Sequence, residues 1–145
     1  MFKKAFFSVG LLLSVLLLTA CSTIKPVLNL TNQPVPANMT SSQVATHIMA
    51  GGKERGWYMT RVKPGLIRGS IEVRQHYASV DINYSSKGYS ISYRSSRNLE
   101  YENGQIHRNY NRWVMNLSES IQASLKGVQT TTAHKKREVG VKVDY

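Results

Sequence analysis

Ile67-Arg68-Gly69-Ser70-Ile71-Glu72-Val73, Ala78-Ser79-Val80-Asp81-Ile82-Asn83-Tyr84 and Tyr89-Ser90-Ile91-Ser92-Tyr93 repeat apolar and polar residues with a period of two. That period places successive side chains on opposite faces of a strand. Ile67, Gly69, Ile71 and Val73 then share one face, opposite Arg68, Ser70, Glu72 and Arg74. In the next run Ala78, Val80, Ile82 and Tyr84 point to the core, and Tyr77, Ser79, Asp81 and Asn83 point away. Ser85-Ser86-Lys87-Gly88 is a tight turn into the run that starts at Tyr89. Upstream, Trp57 to Val62 reads as a further strand, closed by the turn residues Pro64-Gly65. Short connections between successive strands predict a four-stranded antiparallel meander with one apolar face to cover.

Two helices are predicted as that cover. In Ile106 to Leu125, the residues Ile106, Tyr110, Trp113, Val114, Leu117, Ile121 and Leu125 recur at helical spacing, and Lys126 and Gly127 follow as stop signals. The other helix starts at the Ser41-Ser42 hydroxyls, runs to about Arg55 and stops at Gly56, with Val44, Ala45, Ile48 and Met49 on one face. Gly51 and Gly52 on that face suggest close approach to the sheet. The expected fold is α+β: a two-layer sandwich in the order α-β-β-β-β-α over residues 41–127, both helices on one sheet face.

The N-terminal region follows a different logic. Met1-Phe2-Lys3-Lys4 is basic, Ala5 to Leu18 is apolar apart from Ser8 and Ser14, and small residues precede Cys21, the sole cysteine. This is the pattern of a secretory signal peptide over residues 1–20; the apolar run is shorter than the ~20 residues a membrane-spanning helix needs. Leu18-Thr19-Ala20-Cys21 resembles the lipobox of bacterial lipoproteins, in which the cysteine receives a covalent lipid (palmitate among its chains) and becomes the first mature residue. Residues 21–40, with Pro26, Pro34 and Pro36 among Asn, Thr and Gln, read as a tether of typically ~25 Å. Residues 128–145, with Lys135-Lys136-Arg137, read as a flexible basic tail.

The chain carries 19 Lys and Arg against 8 Asp and Glu, a net charge of +11. Cleavage would remove Lys3 and Lys4, leaving 17 against 8, or +9. Such an excess favours anionic partners. Export excludes nucleic acid and leaves phospholipid headgroups, cell-wall carboxylates, lipopolysaccharide phosphates or an acidic envelope protein. With its one thiol capped, the domain has no disulfide and must rest on packing.

Arg55-Gly56-Trp57, Pro64-Gly65, Val80-Asp81-Ile82-Asn83-Tyr84, Tyr89-Ser90-Ile91-Ser92-Tyr93, Asn98-Leu99 and Ile106-His107-Arg108-Asn109-Tyr110-Asn111-Arg112-Trp113-Val114 resemble a family of small proteobacterial lipoproteins. The likeness covers about residues 40–125 and the lipobox. It implies a Gram-negative host and supplies no activity. In such a host Ser rather than Asp after the lipidated cysteine implies the outer membrane, facing the periplasm, and Ser22 fits.

No catalytic motif accompanies these features. Glu100 or Glu102 with His107 would make an acid–base pair, but no activated nucleophile or oxyanion motif stands beside them. The four histidines, His47, His76, His107 and His134, are too scattered for a metal site, and no cofactor is expected beyond the lipid on Cys21. Two binding surfaces are candidates. Arg68, Arg74 and Arg94, if clustered on the outward sheet face, would meet an anion. His107, Tyr110, Asn111 and Arg112 would line a polar seam between helix and sheet, unless they serve to satisfy buried backbone. The reading that follows is a non-catalytic, lipid-anchored envelope protein binding an anionic component or another envelope protein. The alternative is a small-ligand-binding or hydrolytic envelope protein working at His107 and Asn111.

Overall fold

The computed structural model describes residues 22–139, with side chains described for residues 22–127. The predicted signal peptide, Cys21 and residues 140–145 lie outside the described residues. The elements are β1 (Ile24–Pro26), β2 (Leu30–Pro34), α1 (Ser41–Glu54), β3 (Tyr58–Lys63), β4 (Leu66–Val73), β5 (His76–Tyr84), β6 (Gly88–Arg97), β7 (Gln105–His107) and α2 (Arg108–Val139).

These strands form two antiparallel sheets, one of five strands in the order β2-β6-β5-β4-β3 and one of two, β1-β7. The expected four-stranded meander in an α-β-β-β-β-α order is therefore wrong. Residues 24–34, expected as part of a tether, supply the extra strands. Leu30 lies opposite Ile91 and Gln33 opposite Tyr89, so β2 forms an edge of the large sheet. Ile24 lies opposite His107 and Pro26 opposite Gln105. Pro26 and Pro34 end these two strands, where a proline is tolerated because an edge strand has a side on which no N–H is needed, and Pro36 lies in the loop beyond.

The alternation in β4 to β6 sorts the large sheet into a buried and a polar face. Ile67, Ala78, Val80, Ile82, Tyr89 and Ile91 join Val44, Ala45 and Ile48 of α1 and Tyr110, Val114, Leu117, Ile121 and Leu125 of α2 in one core. α1 begins with a capping box on Thr40, one residue before the expected serines: Gln43 N–H donates to Thr40 Oγ1, and Thr40 N–H to Gln43 Oε1. Gly51 approaches the other helix rather than the sheet, as a Cβ there would stand 2.6 Å from Ile121 N; Gly52 faces Met59 of β3. α2 starts two residues later than expected, because Gln105–His107 pair with β1. It also continues through Gly127 to Val139, so residues 128–139 are helical where a flexible tail was expected.

Candidate functional site

The polar face of the large sheet carries a three-residue charge cluster. Arg68 of β4 and Asp81 of β5 are cross-strand neighbours, and Arg68 Nε donates to Asp81 Oδ1 at 2.9 Å. On β6, Ser92 lies opposite Asp81. The register shifts just beyond, with Val80 opposite Tyr93 and Ser79 opposite Ser95, so Arg94 is an extra residue on β6. From there Arg94 Nη1 donates to Asp81 Oδ2 at 3.2 Å. Two guanidinium groups thus share one carboxylate, leaving a local excess of one positive charge. The side chains are 34%, 44% and 25% exposed for Arg68, Arg94 and Asp81, open enough to be reached from solvent. Beside them Arg97 pairs with Glu72 at 2.8 Å and lies over the Tyr77 ring. The sequence placed Arg74 with Arg68 and Arg94. The structure brings only the latter two together, because Arg74 sits exposed in the β4–β5 turn with a left-handed φ of 58°.

The second candidate, the seam at the start of α2, is taken up by the fold. The Asn111 amide donates through Nδ2 to Pro26 O at 2.9 Å and accepts at Oδ1 from Leu28 N–H at 3.0 Å. It holds the connection between β1 and β2 against the helix. His107 Nδ1 accepts from Asn109 N–H at 3.3 Å, and the His107 N–H donates to Leu99 O. The Tyr110 ring is buried and meets Tyr93 edge-on, while Tyr93 stacks on Tyr101. Its hydroxyl has no hydrogen-bond partner. Burial first, then the neighbouring Tyr93 and Tyr101, push the pKa of that hydroxyl far above the tyrosine range, so it stays a neutral phenol. Arg112 is exposed. Neither Glu100 nor Glu102 is hydrogen-bonded to His107, and Glu100 occupies a left-handed turn position with φ 53°.

The seam opens further along α2. A cavity of about 470 Å³ between β2 and α2 is lined by Leu30, Gln33, Met115, Ser118, Glu119 and Gln122 among others. Near it the Tyr89 hydroxyl meets Ser118 Oγ at 3.3 Å, and Gln122 Nε2 donates both to Tyr89 Oη and to Pro34 O. Ser118 and Gln122, one turn apart at the edge of the apolar arc of α2, were not among the expected site residues. The signal was that spacing; β2, the other wall, was hidden by its assignment to the tether.

His47 bonds Ser124 and His76 bonds Asn98 O. Among the described residues no three His, Cys, Asp or Glu are grouped to hold a metal ion, and no helix is long and apolar enough to cross a membrane. No family model, curated protein or solved structure matches the chain.

Proposed function

We propose that this chain is a lipoprotein of the outer membrane, anchored through a lipid on Cys21 and facing the periplasm, whose domain binds an anionic envelope component on the uncovered sheet face. The observation that carries the binding reading is the convergence of Arg68 and Arg94 on Asp81. One carboxylate occupies Arg68 Nε and one Arg94 nitrogen; the remaining guanidinium N–H groups are available to phosphate or carboxylate oxygens. Both helices pack on the other face, so a flat or extended polymer has access. The resemblance to small proteobacterial lipoproteins, the small residues before Cys21 and Ser22 after it support the compartment. Ligand handling at His107 and Asn111 is the weaker reading, because both ends of the Asn111 amide are committed to backbone groups.

The test is sedimentation of the protein with purified peptidoglycan sacculi and with lipopolysaccharide at rising salt. Retention on one of them that falls at least fivefold in an Arg68→Ala/Arg94→Ala variant is expected. Retention unchanged by the double substitution refutes this face as the site. A Cys21→Ala variant that still floats with membranes, or a chain that takes up no fatty-acid label, refutes the anchor.

A further inference from the structure

We infer that the end of the domain formed by β1, β7 and the start of α2 is a membrane-seating surface, in which Lys25, Arg108 and Arg112 meet the anionic phospholipid headgroups of the leaflet that holds the anchor. The inference rests on the lipidation of Cys21 proposed above, and deepens it. Its basis is the length of free chain between anchor and fold. Arg108 N–H donates to Thr23 O at 2.7 Å, and Ile24 is already paired with His107. Only Ser22 and Thr23 separate the lipidated residue from the first strand. Two residues span at most ~7 Å, where a nineteen-residue tether would have allowed tens of ångströms. That distance is within one Debye length at physiological salt, ~8 Å. The domain therefore cannot stand clear of the bilayer, and the end bearing Thr23 is the one held against it.

The residues at that end suit the contact. Lys25, Arg108 and Arg112 are exposed, and the described salt bridges, which use Arg68, Arg94 and Arg97, involve none of them. Asn111, one residue before Arg112, bonds the chain just after β1, which ties the helix start to the strand that follows the anchor. Of the acidic residues nearest in the chain, Glu100 and Glu102 belong to the loop before β7, and His107 N–H bonds Leu99 O, so β7 lies between that loop and β1; Glu119 is about two turns further along α2 than Arg112. The opposite end of the sheet, with the Ser85–Lys87 turn, is turned to the periplasm by the same geometry. Tyr89, just past that turn, bonds Ser118 and Gln122, about three and four turns along α2 from Arg108.

The experiment uses the full lipidated chain in vesicles, with a fluorophore on Gln105→Cys in β7 or on Ser86→Cys in the far turn, Cys21 being blocked by its lipid. Headgroup-nitroxide lipids quench by contact. The expected result is quenching at least threefold stronger at residue 105 than at residue 86. The ratio should be larger in phosphatidylglycerol vesicles than in phosphatidylcholine vesicles, and Lys25→Glu/Arg108→Glu/Arg112→Glu should remove that headgroup dependence. Equal quenching at both positions, on a chain that floats and carries fatty acid, overturns the seating alone. A strong ratio that is the same on both lipids overturns the headgroup contact. Absence of fatty acid on Cys21 overturns the anchor and the seating together.

Discussion

Asn111 of α2 reaches residues more than eighty positions earlier: its side-chain amide accepts from the Leu28 N–H and donates to the carbonyl of Pro26. One amide thus satisfies the donor and the acceptor of a connection that would otherwise leave both groups against the helix. Removing it leaves both unpartnered, which costs about 1–3 kcal/mol per buried group, less where water reaches it. Asn111→Ala is expected to lower stability by roughly 2 kcal/mol in urea unfolding, and to speed amide exchange in residues 24–34 first. Asn111→Asp keeps the acceptor and should lose less. Unfolding curves that coincide for Asn111→Ala and the natural chain would show that residues 24–34 do not depend on this amide.

The same contact explains which parts of the fold could be read from sequence. β4, β5 and β6 declare themselves because each strand's partner lies next in the chain, and the alternation of Ile67 to Val73 or Ala78 to Tyr84 is a local signal. The buried stripe from Tyr110 to Leu125 is local as well. β1 and β2 declare nothing: they are short, carry Pro26 and Pro34, and their partners His107 and Ile91 are tens of residues away. Taken for a linker, they removed one strand from each sheet and one wall from the cavity beside Gln122. Ile106 misled in another way. It is buried in β7, and its apolar character fits the helical stripe as well as a strand. Arg94 sits in a bulge that no periodicity forecasts, yet it meets Asp81 on the face the alternation gave it. Arg74 continued the alternation of β4 but fell in its turn.

Gly51 and Gly52 are neighbours with opposite tolerance. A Cβ at Gly51 would stand 2.6 Å from Ile121 N and 2.7 Å from Ile121 Cα, so the two helices would have to part. A Cβ at Gly52 meets the end of the Met59 side chain, which is flexible and can move aside. Alanine gains helix propensity of about 1 kcal/mol over glycine at both. Gly51→Ala is nevertheless expected to destabilise by about 1–3 kcal/mol through overpacking, and Gly52→Ala to be near neutral. Thermal melts of the two variants side by side check the order; a Gly51→Ala protein as stable as the Gly52→Ala protein contradicts it.

Tyr110 keeps a buried hydroxyl without a partner, a group that costs about 1 kcal/mol or more when left in an apolar setting. Tyr110→Phe keeps the edge-on ring contact with Tyr93 and should stabilise the domain by about 1 kcal/mol. The pH dependence follows from the raised pKa. Below the ordinary tyrosine value of about 10 the phenol is protonated folded or unfolded, and its contribution does not vary. Above it the unfolded chain loses the proton while burial keeps the folded one protonated. The unfolded state then binds fewer protons and stability falls as pH rises. Denaturation titrations between pH 9 and 11.5 should show this fall in the natural chain and a shallower one in Tyr110→Phe; parallel curves would assign the alkaline loss to other tyrosines.

Asp81 separates a structural role of the arginine pair from a binding one. Its carboxylate neutralises half of the charge that Arg68 and Arg94 bring to the sheet face. All three side chains are partly exposed, so the pairs contribute little to stability, less than about 1 kcal/mol in total. Asp81→Asn keeps the size of the side chain and an acceptor for one arginine, while leaving both guanidinium charges uncompensated. A face that only holds strands together loses from this change and gains nothing. A face that receives anions becomes a better receptor: retention on the anionic polymer should rise severalfold at low salt, and its fall with salt should steepen because one more positive charge is in play. Arg68→Ala/Arg94→Ala/Asp81→Asn should abolish the gain. Binding that weakens in Asp81→Asn, with melting temperature unchanged, would mean that the carboxylate itself orients the arginines for the ligand, and the two guanidinium groups would then act as a positioned pair rather than as bulk charge.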